Sequence, residues 1–308
     1  MAITASMVKE LREMTGAGMM DCKKALAQTD GDMDKAVEFL REKGLAAAEK
    51  KAGRIAAEGL VATNVSADGK VASIVEVNSE TDFVAKNEKF QSYVADVAAQ
   101  AASTTATDIE AFLSEAWAPD TNMTVKEALA AQIAVIGENM NIRRFEKIVA
   151  ENGFVESYIH AGGRVGVLVE VETTVVNDQT KTVAKDVAMQ IAAIAPKYLS
   201  SDEVPADYKE HEKEILKAQA MNENPDKPEN IIEKMIIGRL NKQLKEVCLL
   251  EQAFIKDEDL TVKKYVETAA KEIGADITIK SFVRFETGEG IEKKSEDFAA
   301  EVAAQMAK

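Results

Sequence analysis

The feature that most constrains the fold is an internal repeat. The segment Asn152-Gly153-Phe154-Val155-Glu156-Ser157-Tyr158-Ile159-His160-Ala161-Gly162-Gly163-Arg164-Val165 lies over Glu58 to Val71 without a gap at an offset of 94. Leu168-Val169-Glu170-Val171 continues the match over Ile74-Val75-Glu76-Val77. In the first copy, Leu60 to Val65 and Val71 to Val77 are strand-like runs around the turn Ala67-Asp68-Gly69-Lys70, so each copy reads as a β-hairpin. Further on, Ala184-Lys185-Asp186-Val187-Ala188-Met189-Gln190 matches Val94-Ala95-Asp96-Val97-Ala98-Ala99-Gln100, now at an offset of 90. The core therefore reads as two copies of a hairpin followed by a helix, an α+β arrangement. The drop from 94 to 90 gives the first copy four extra residues between strand and helix, within Asn78 to Glu88. That longer loop carries Phe83 among acids and amides.

Helical patterning surrounds the repeat. Residues 3 to 44 read as three short helices. Ile3, Met7, Val8, Leu11 and Met14 mark the first, with Thr4 or Ser6 as N-cap, and it ends at Thr15-Gly16-Ala17-Gly18. The second starts near Asp21, and Gly44 is expected to stop the third. Leu45 to Glu58 then reads as a connecting helix interrupted by Gly53. Asp108 to Trp117 and Thr124 to Ile142 look helical, the latter opening on the capping box Thr124-Val125-Lys126-Glu127. Ala206 to Met221 and Lys227 to Val247 form an antiparallel helical pair polar enough to project from the body. Thr261 to Ile273 reads as a helix and Ile277 to Phe285 as a strand that can join the second sheet. Ser295 to Lys308 reads as a final amphipathic helix.

Charge and motifs narrow the function. The 308 residues carry 38 basic and 53 acidic side chains, a net charge of −15. The first 55 residues hold ten basic and nine acidic side chains, so the acidic excess lies in the remainder. Such a balance argues against a protein that holds bare phosphate backbone, and no direct nucleic-acid partner is expected. Cys22 and Cys248 have neither a disulfide nor a zinc spacing and are expected as reduced, half-buried thiols. The start lacks a secretory pattern and no apolar run spans a bilayer, which predicts a cytoplasmic protein with no membrane partner.

Catalytic patterns are missing as well. His160 and His211 are the only histidines, and neither they nor any serine or cysteine sits in a nucleophile motif. Gly16-Ala17-Gly18 follows a helix rather than a strand, and no phosphate loop occurs. The chain is thus expected to be no enzyme, with no cofactor and no metal site. What remains are apolar side chains placed for a partner. Phe83 is either buried as a cap on the following helix or exposed as an interface anchor. Met19 and Met20, beside Lys23 and Lys24, suggest an adaptable contact, although packing in the small bundle is expected to claim at least one of the two methionines.

Two long segments carry a resemblance. Leu11-Arg12-Glu13-Met14-Thr15-Gly16-Ala17-Gly18-Met19-Met20-Asp21-Cys22-Lys23-Lys24-Ala25-Leu26 and Glu76-Val77-Asn78-Ser79-Glu80-Thr81-Asp82-Phe83-Val84-Ala85-Lys86 resemble the signatures of the bacterial elongation factor Ts family. Ile136 to Arg144, Tyr158-Ile159-His160 and Arg284 to Lys293 extend the likeness in the family's order. It implies a ubiquitin-associated-like three-helix bundle over residues 1–55 and a core subdomain over 56–149. A second core subdomain over 150–283 follows, with a helical hairpin inserted at 200–247, and then a C-terminal helical module over 284–308. It also implies nucleotide exchange on elongation factor Tu. Thr81, Asp82, Phe83 and Val84 would dislodge the magnesium ion of the GTPase. Met19, Met20, Lys23, Ile136, Gly137 and His160 would contact it. The helical hairpin is the candidate element for pairing two copies, alone or in a two-plus-two assembly with Tu.

Overall fold

The strand-like runs become two three-stranded antiparallel sheets in the computed structural model, which describes residues 3–225 and 227–292. The chain opens with α1 (Ala5–Thr15), α2 (Met19–Gln28) and α3 (Met33–Lys51). The first repeat unit comprises β1 (Glu58–Val65), β2 (Val71–Ser79), α4 (Asp82–Ala85), α5 (Glu88–Ser103), α6 (Ile109–Ser114), the ribbon β3 (Ala116–Trp117) and β4 (Asp120–Thr124), α7 (Val125–Ile136) and β5 (Met140–Val149). The second comprises β6 (Phe154–His160), β7 (Val165–Glu172), α8 (Asp178–Ile194), α9 (Ala206–Glu223), α10 (Glu229–Val247), the ribbon β8 (Ala253–Phe254) and β9 (Asp257–Thr261), α11 (Val262–Ile273) and β10 (Thr278–Glu286). Mixed helix and sheet in this segregated, antiparallel form is the α+β class.

Hydrogen-bond register reproduces the repeat. Leu60 stands opposite Val77 in the first sheet, and Phe154 stands opposite Val171 in the second, both shifted by 94. The repeat also runs beyond the hairpin and its first helix. Phe145 of β5 faces Val75, and Phe282 of β10 faces Val169, a shift of 137. Each third strand carries a register irregularity at the matching place, next to Val77 in one sheet and between Ile279 and Ser281 in the other. From the first helix to the third strand the offset grows from 90 to 137, and α9 and α10 occupy the extra length between α8 and β8.

One buried glutamine per unit ties its helix to its ribbon. Gln100 Nε2 donates to the Ala116 carbonyl at 3.3 Å and its Oε1 accepts from the Ala118 amide at 2.9 Å. Gln190 does the same with Ala253 at 3.1 Å and Ile255 at 2.8 Å. The ribbons also share Ala116, Asp120 and Thr124 with Ala253, Asp257 and Thr261, at the same offset of 137.

Four layers result. Val75 and Val77 pack against Phe90, Val97 and Ile133 from α5 and α7. Val169 and Val171 pack against Val187, Ile191 and Val262 from α8 and α11. Between the sheets, Val61 and Ile74 meet Val155, Leu168 and Phe285. The middle strands β2 and β7 are therefore covered on both faces, which is why they read as near-continuous apolar runs. Burial of each such side chain contributes about 1.5–3 kcal/mol before entropy is counted.

The three N-terminal helices enclose a small core of Leu11, Cys22, Ala25, Leu26 and Ala36. Thr4 caps α1, its hydroxyl accepting from the Met7 amide at 3.3 Å. The third helix does not stop at Gly44 but continues to Lys51, because Gly44 is buried where α3 packs against Ala130 of α7. Tertiary contact there outweighs the roughly 1 kcal/mol that glycine costs a helix. Arg41 fastens the same helix to the body, donating to the Asn122 carbonyl at 3.0 Å. Cys22 and Cys248, expected as half-buried, are fully buried free thiols. Burial pushes Cys248 up to about 11, which leaves it a poor nucleophile at neutral pH.

Two other helical expectations are corrected. The helix expected through Ile142 ends at Ile136, where Gly137 takes the left-handed conformation at φ 91°, and Met140 to Val149 is a strand. The one expected through Trp117 ends at Ser114 and gives way to the ribbon. Strand β10 crosses residue 284, at which a C-terminal module is expected to start, and the amphipathic tail 295–308 lies outside the described residues. No helix among the described residues is long and apolar enough to cross a membrane.

The turn after β10 closes the two units on each other. Gly288 has φ +73°, and a Cβ there would lie 2.1 Å from the Ala57 carbonyl oxygen, whereas Gly290 at φ +74° has nothing within 4 Å. Gly288→Ala is expected to cost about 2–3 kcal/mol and Gly290→Ala about 1 kcal/mol, because only the first adds a backbone collision to the dihedral strain. Urea unfolding of the two variants side by side checks the difference.

Candidate functional site

The loop between β2 and α5 resolves the choice left open for Phe83. Its ring is 78% exposed, the most exposed large apolar side chain among the described residues. It stands on the single turn of α4, while the next residue, Val84, is buried in the core of the first unit. Asp82 and Lys86 form an ion pair at 2.7 Å across that turn, and the ammonium lies 5.9 Å from the Phe83 ring centroid. The hydrogen bond from Lys86 holds the Asp82 carboxyl below the usual carboxylate range. Asn87 then caps α5, accepting from the Lys89 amide at 2.9 Å, so the chain is anchored immediately after the exposed ring.

Anchoring on the other side comes from the loop that follows α7. Glu138 accepts twice from Thr81, from its amide at 3.0 Å and from its hydroxyl at 2.7 Å. Glu80 answers by accepting from the Asn139 amide at 2.5 Å, and Asn139 Nδ2 donates to the Arg54 carbonyl at 2.7 Å. Thus Ile136 and Gly137 are brought beside Thr81 and its neighbours, although more than fifty residues separate them in sequence. Patterning alone does not single out Glu138, Glu80 or Arg54, since a carboxylate after a helix-ending glycine is ordinary surface chemistry.

The remaining candidates stand elsewhere. Met19 and Met20 open α2 with 59% and 65% exposure, so neither packs in the bundle as expected for at least one of them. Both stand in the first turn of α2, which begins two residues earlier than its apolar spacing indicates. Lys23 is exposed one turn along. His160 ends β6 in the other sheet, exposed, its Nδ1 3.0 Å from the Tyr158 hydroxyl oxygen. Nothing in this arrangement resembles a nucleophile with its base, and no three His, Cys, Asp or Glu side chains among the described residues gather to hold a metal ion.

Comparison with known proteins agrees with the signatures. The family model described as elongation factor TS matches residues 80–289. The chain is 57% identical over 304 residues to elongation factor Ts of Clostridium novyi (strain NT), covering 99% of both chains. It is equally similar, over the same share of both chains, to elongation factor Ts of Clostridioides difficile (strain 630). The two relatives span nearly the entire chain and the family model about two thirds of it, and the chain therefore belongs to the elongation factor Ts family.

Proposed function

We propose that the protein is a guanine-nucleotide exchange factor that binds GDP-loaded elongation factor Tu and promotes GDP release so that GTP can bind. The observation that carries the reading is Phe83, an apolar ring held in water on a turn anchored at both ends. An aromatic ring presented in this way suits an interface anchor, because such rings concentrate binding energy when a partner's pocket covers them. In this mechanism Asp82 and Phe83 enter the GTPase domain beside the nucleotide, flanked by Thr81 and Val84. Displacing the magnesium ion that bridges the phosphates weakens GDP. Met19, Met20 and Lys23, with Ile136 and Gly137, dock the GTPase domain, and His160 contacts a distal domain. The three-helix unit fits a ubiquitin-associated-like module, and α9 with α10 is the candidate element for pairing two copies.

Energetically the factor must bind empty Tu better than loaded Tu, and nucleotide must then expel the factor by the same coupling free energy. No covalent bond is made or broken, and direction comes from the cytoplasmic excess of GTP. The test is stopped-flow release of a fluorescent GDP from Tu together with capture of nucleotide-free Tu by the immobilised protein. Acceleration of release and elution by GDP are the expected results; release at the spontaneous rate overturns the reading.

A further inference from the structure

We propose that Glu138 is the positioning residue for Phe83, acting through a two-way clasp between the loop before α4 and the loop after α7. The inference rests on the exchange reading above and deepens it. Helix α4 has four residues, too few to hold its own direction, because a single turn fixes several dihedrals for about one hydrogen bond. Its orientation is set by whatever fixes the residues on either side.

After the turn, Val84 is buried and Asn87 begins α5. Before it, Thr81 occupies the N-cap position, with φ −127° and ψ 157°, yet its side chain makes no bond to the helix it precedes. Its hydroxyl and amide both donate to Glu138 instead. Such charge-assisted pairs are stronger than neutral ones and define direction by their geometry. Glu138 is itself fixed on both sides. Gly137 ends α7 before it, and buried Asn139 after it donates to Glu80 and to the Arg54 carbonyl. Because each loop donates to a carboxylate of the other, the two move as one piece. The clasp joins Ile136 and Gly137 to Phe83, so a load applied at the former reaches the latter without passing through the core.

The test compares Glu138→Ala, Glu138→Gln and Thr81→Val with wild type and Phe83→Ala, reading fluorescent GDP release from Tu across factor concentrations. Loss of the clasp in Glu138→Ala is expected to lower the maximal stimulated rate about tenfold, with less than a twofold change in half-saturating concentration. Gln at 138 can accept from the Thr81 amide and pair with its hydroxyl, so Glu138→Gln should recover most of the rate. Adding Thr81→Val to Glu138→Ala should do no further harm. Hydrogen exchange of the Thr81 amide in the free protein should accelerate in Glu138→Ala and not in Phe83→Ala, a readout independent of activity. A Glu138→Ala variant as fast as wild type beside a slow Phe83→Ala overturns the clasp alone. So does a rise in half-saturating concentration at unchanged maximal rate, which would make Glu138 a contact residue. A Phe83→Ala variant as fast as a stimulating wild type overturns the role of Phe83 and the clasp with it, whereas release at the spontaneous rate with wild type overturns the exchange reading.

Discussion

Phe83→Ala is expected to slow stimulated GDP release from elongation factor Tu by about a hundredfold, and to weaken binding to nucleotide-free Tu by a smaller factor. The inequality follows from where the ring stands. Truncating an aromatic anchor typically removes about 2–4 kcal/mol of interface free energy. If Phe83 acts beside the nucleotide, much of that loss falls on the state in which GDP and factor are bound together. On the proposed reading, docking onto empty Tu is shared with Met19, Met20, Lys23 and His160 and is expected to survive better. The fold should be indifferent, since the ring is 78% exposed and contributes little to the core. An unchanged thermal midpoint is therefore the control. Equal losses in release rate and in affinity for empty Tu would count against a special role for the ring and make it one docking contact among several.

The second large effect is expected at a buried residue of β2. Glu76 is fully buried, and its carboxylate accepts from Arg143 at 3.0 Å, Arg144 at 2.6 Å, Asn78 at 3.0 Å and the Gly288 amide at 2.8 Å. Arg144 also stacks over Phe285, 4.2 Å from the ring centroid, and pairs with Glu289 at 3.1 Å. One side chain of β2 thus binds its own sheet to the turn that leaves the other. Glu76→Ala is expected to destabilise the protein by about 3–5 kcal/mol, because two guanidiniums and a buried amide lose their common acceptor. Urea unfolding measures it, and a loss below about 1 kcal/mol would mean that water replaces the carboxylate.

The same network predicts a pH dependence. Burial alone would raise the Glu76 carboxyl, but the bonds from Gly288, Asn78 and the two arginines outweigh it and hold the group below its usual range. A carboxyl depressed in the folded state contributes stability that is present above its unfolded pKa, about 4.3, and is lost as pH falls through the folded value. The stability gap between wild type and Glu76→Gln should therefore be constant near neutrality and shrink on acidification below about pH 4. A gap that widens with acid would reverse the assignment.

Much of the architecture is legible in the chain because it is local or periodic. The offset of 94 appears unchanged in the pairing of Leu60 with Val77 and Phe154 with Val171. The Thr124 to Glu127 capping box forms as expected, with both reciprocal bonds present. The third strand of the first unit is not legible, because Ile142 and Phe145 continue the apolar spacing of α7 across Gly137, and the irregularity opposite Glu76 and Val77 interrupts their alternation. Nor is the full length of the repeat, since α9 and α10 lengthen the second unit and move the offset from 90 to 137 before the matching ribbons are reached.

By itself the sequence determined the duplicated hairpins, the position of the longer loop between strand and helix, and the presence of an aromatic ring within it. Whether that ring is buried or presented was decided only by the tertiary structure, because exposure depends on what packs around a turn rather than on the turn. The tertiary structure also decided what holds it there. Glu138 meets Thr81 across 57 positions and Glu76 meets Gly288 across 212. The first contact forms once β2 and β5 pair in one sheet, with Ser79 opposite Met140, and the second only after the two sheets have stacked.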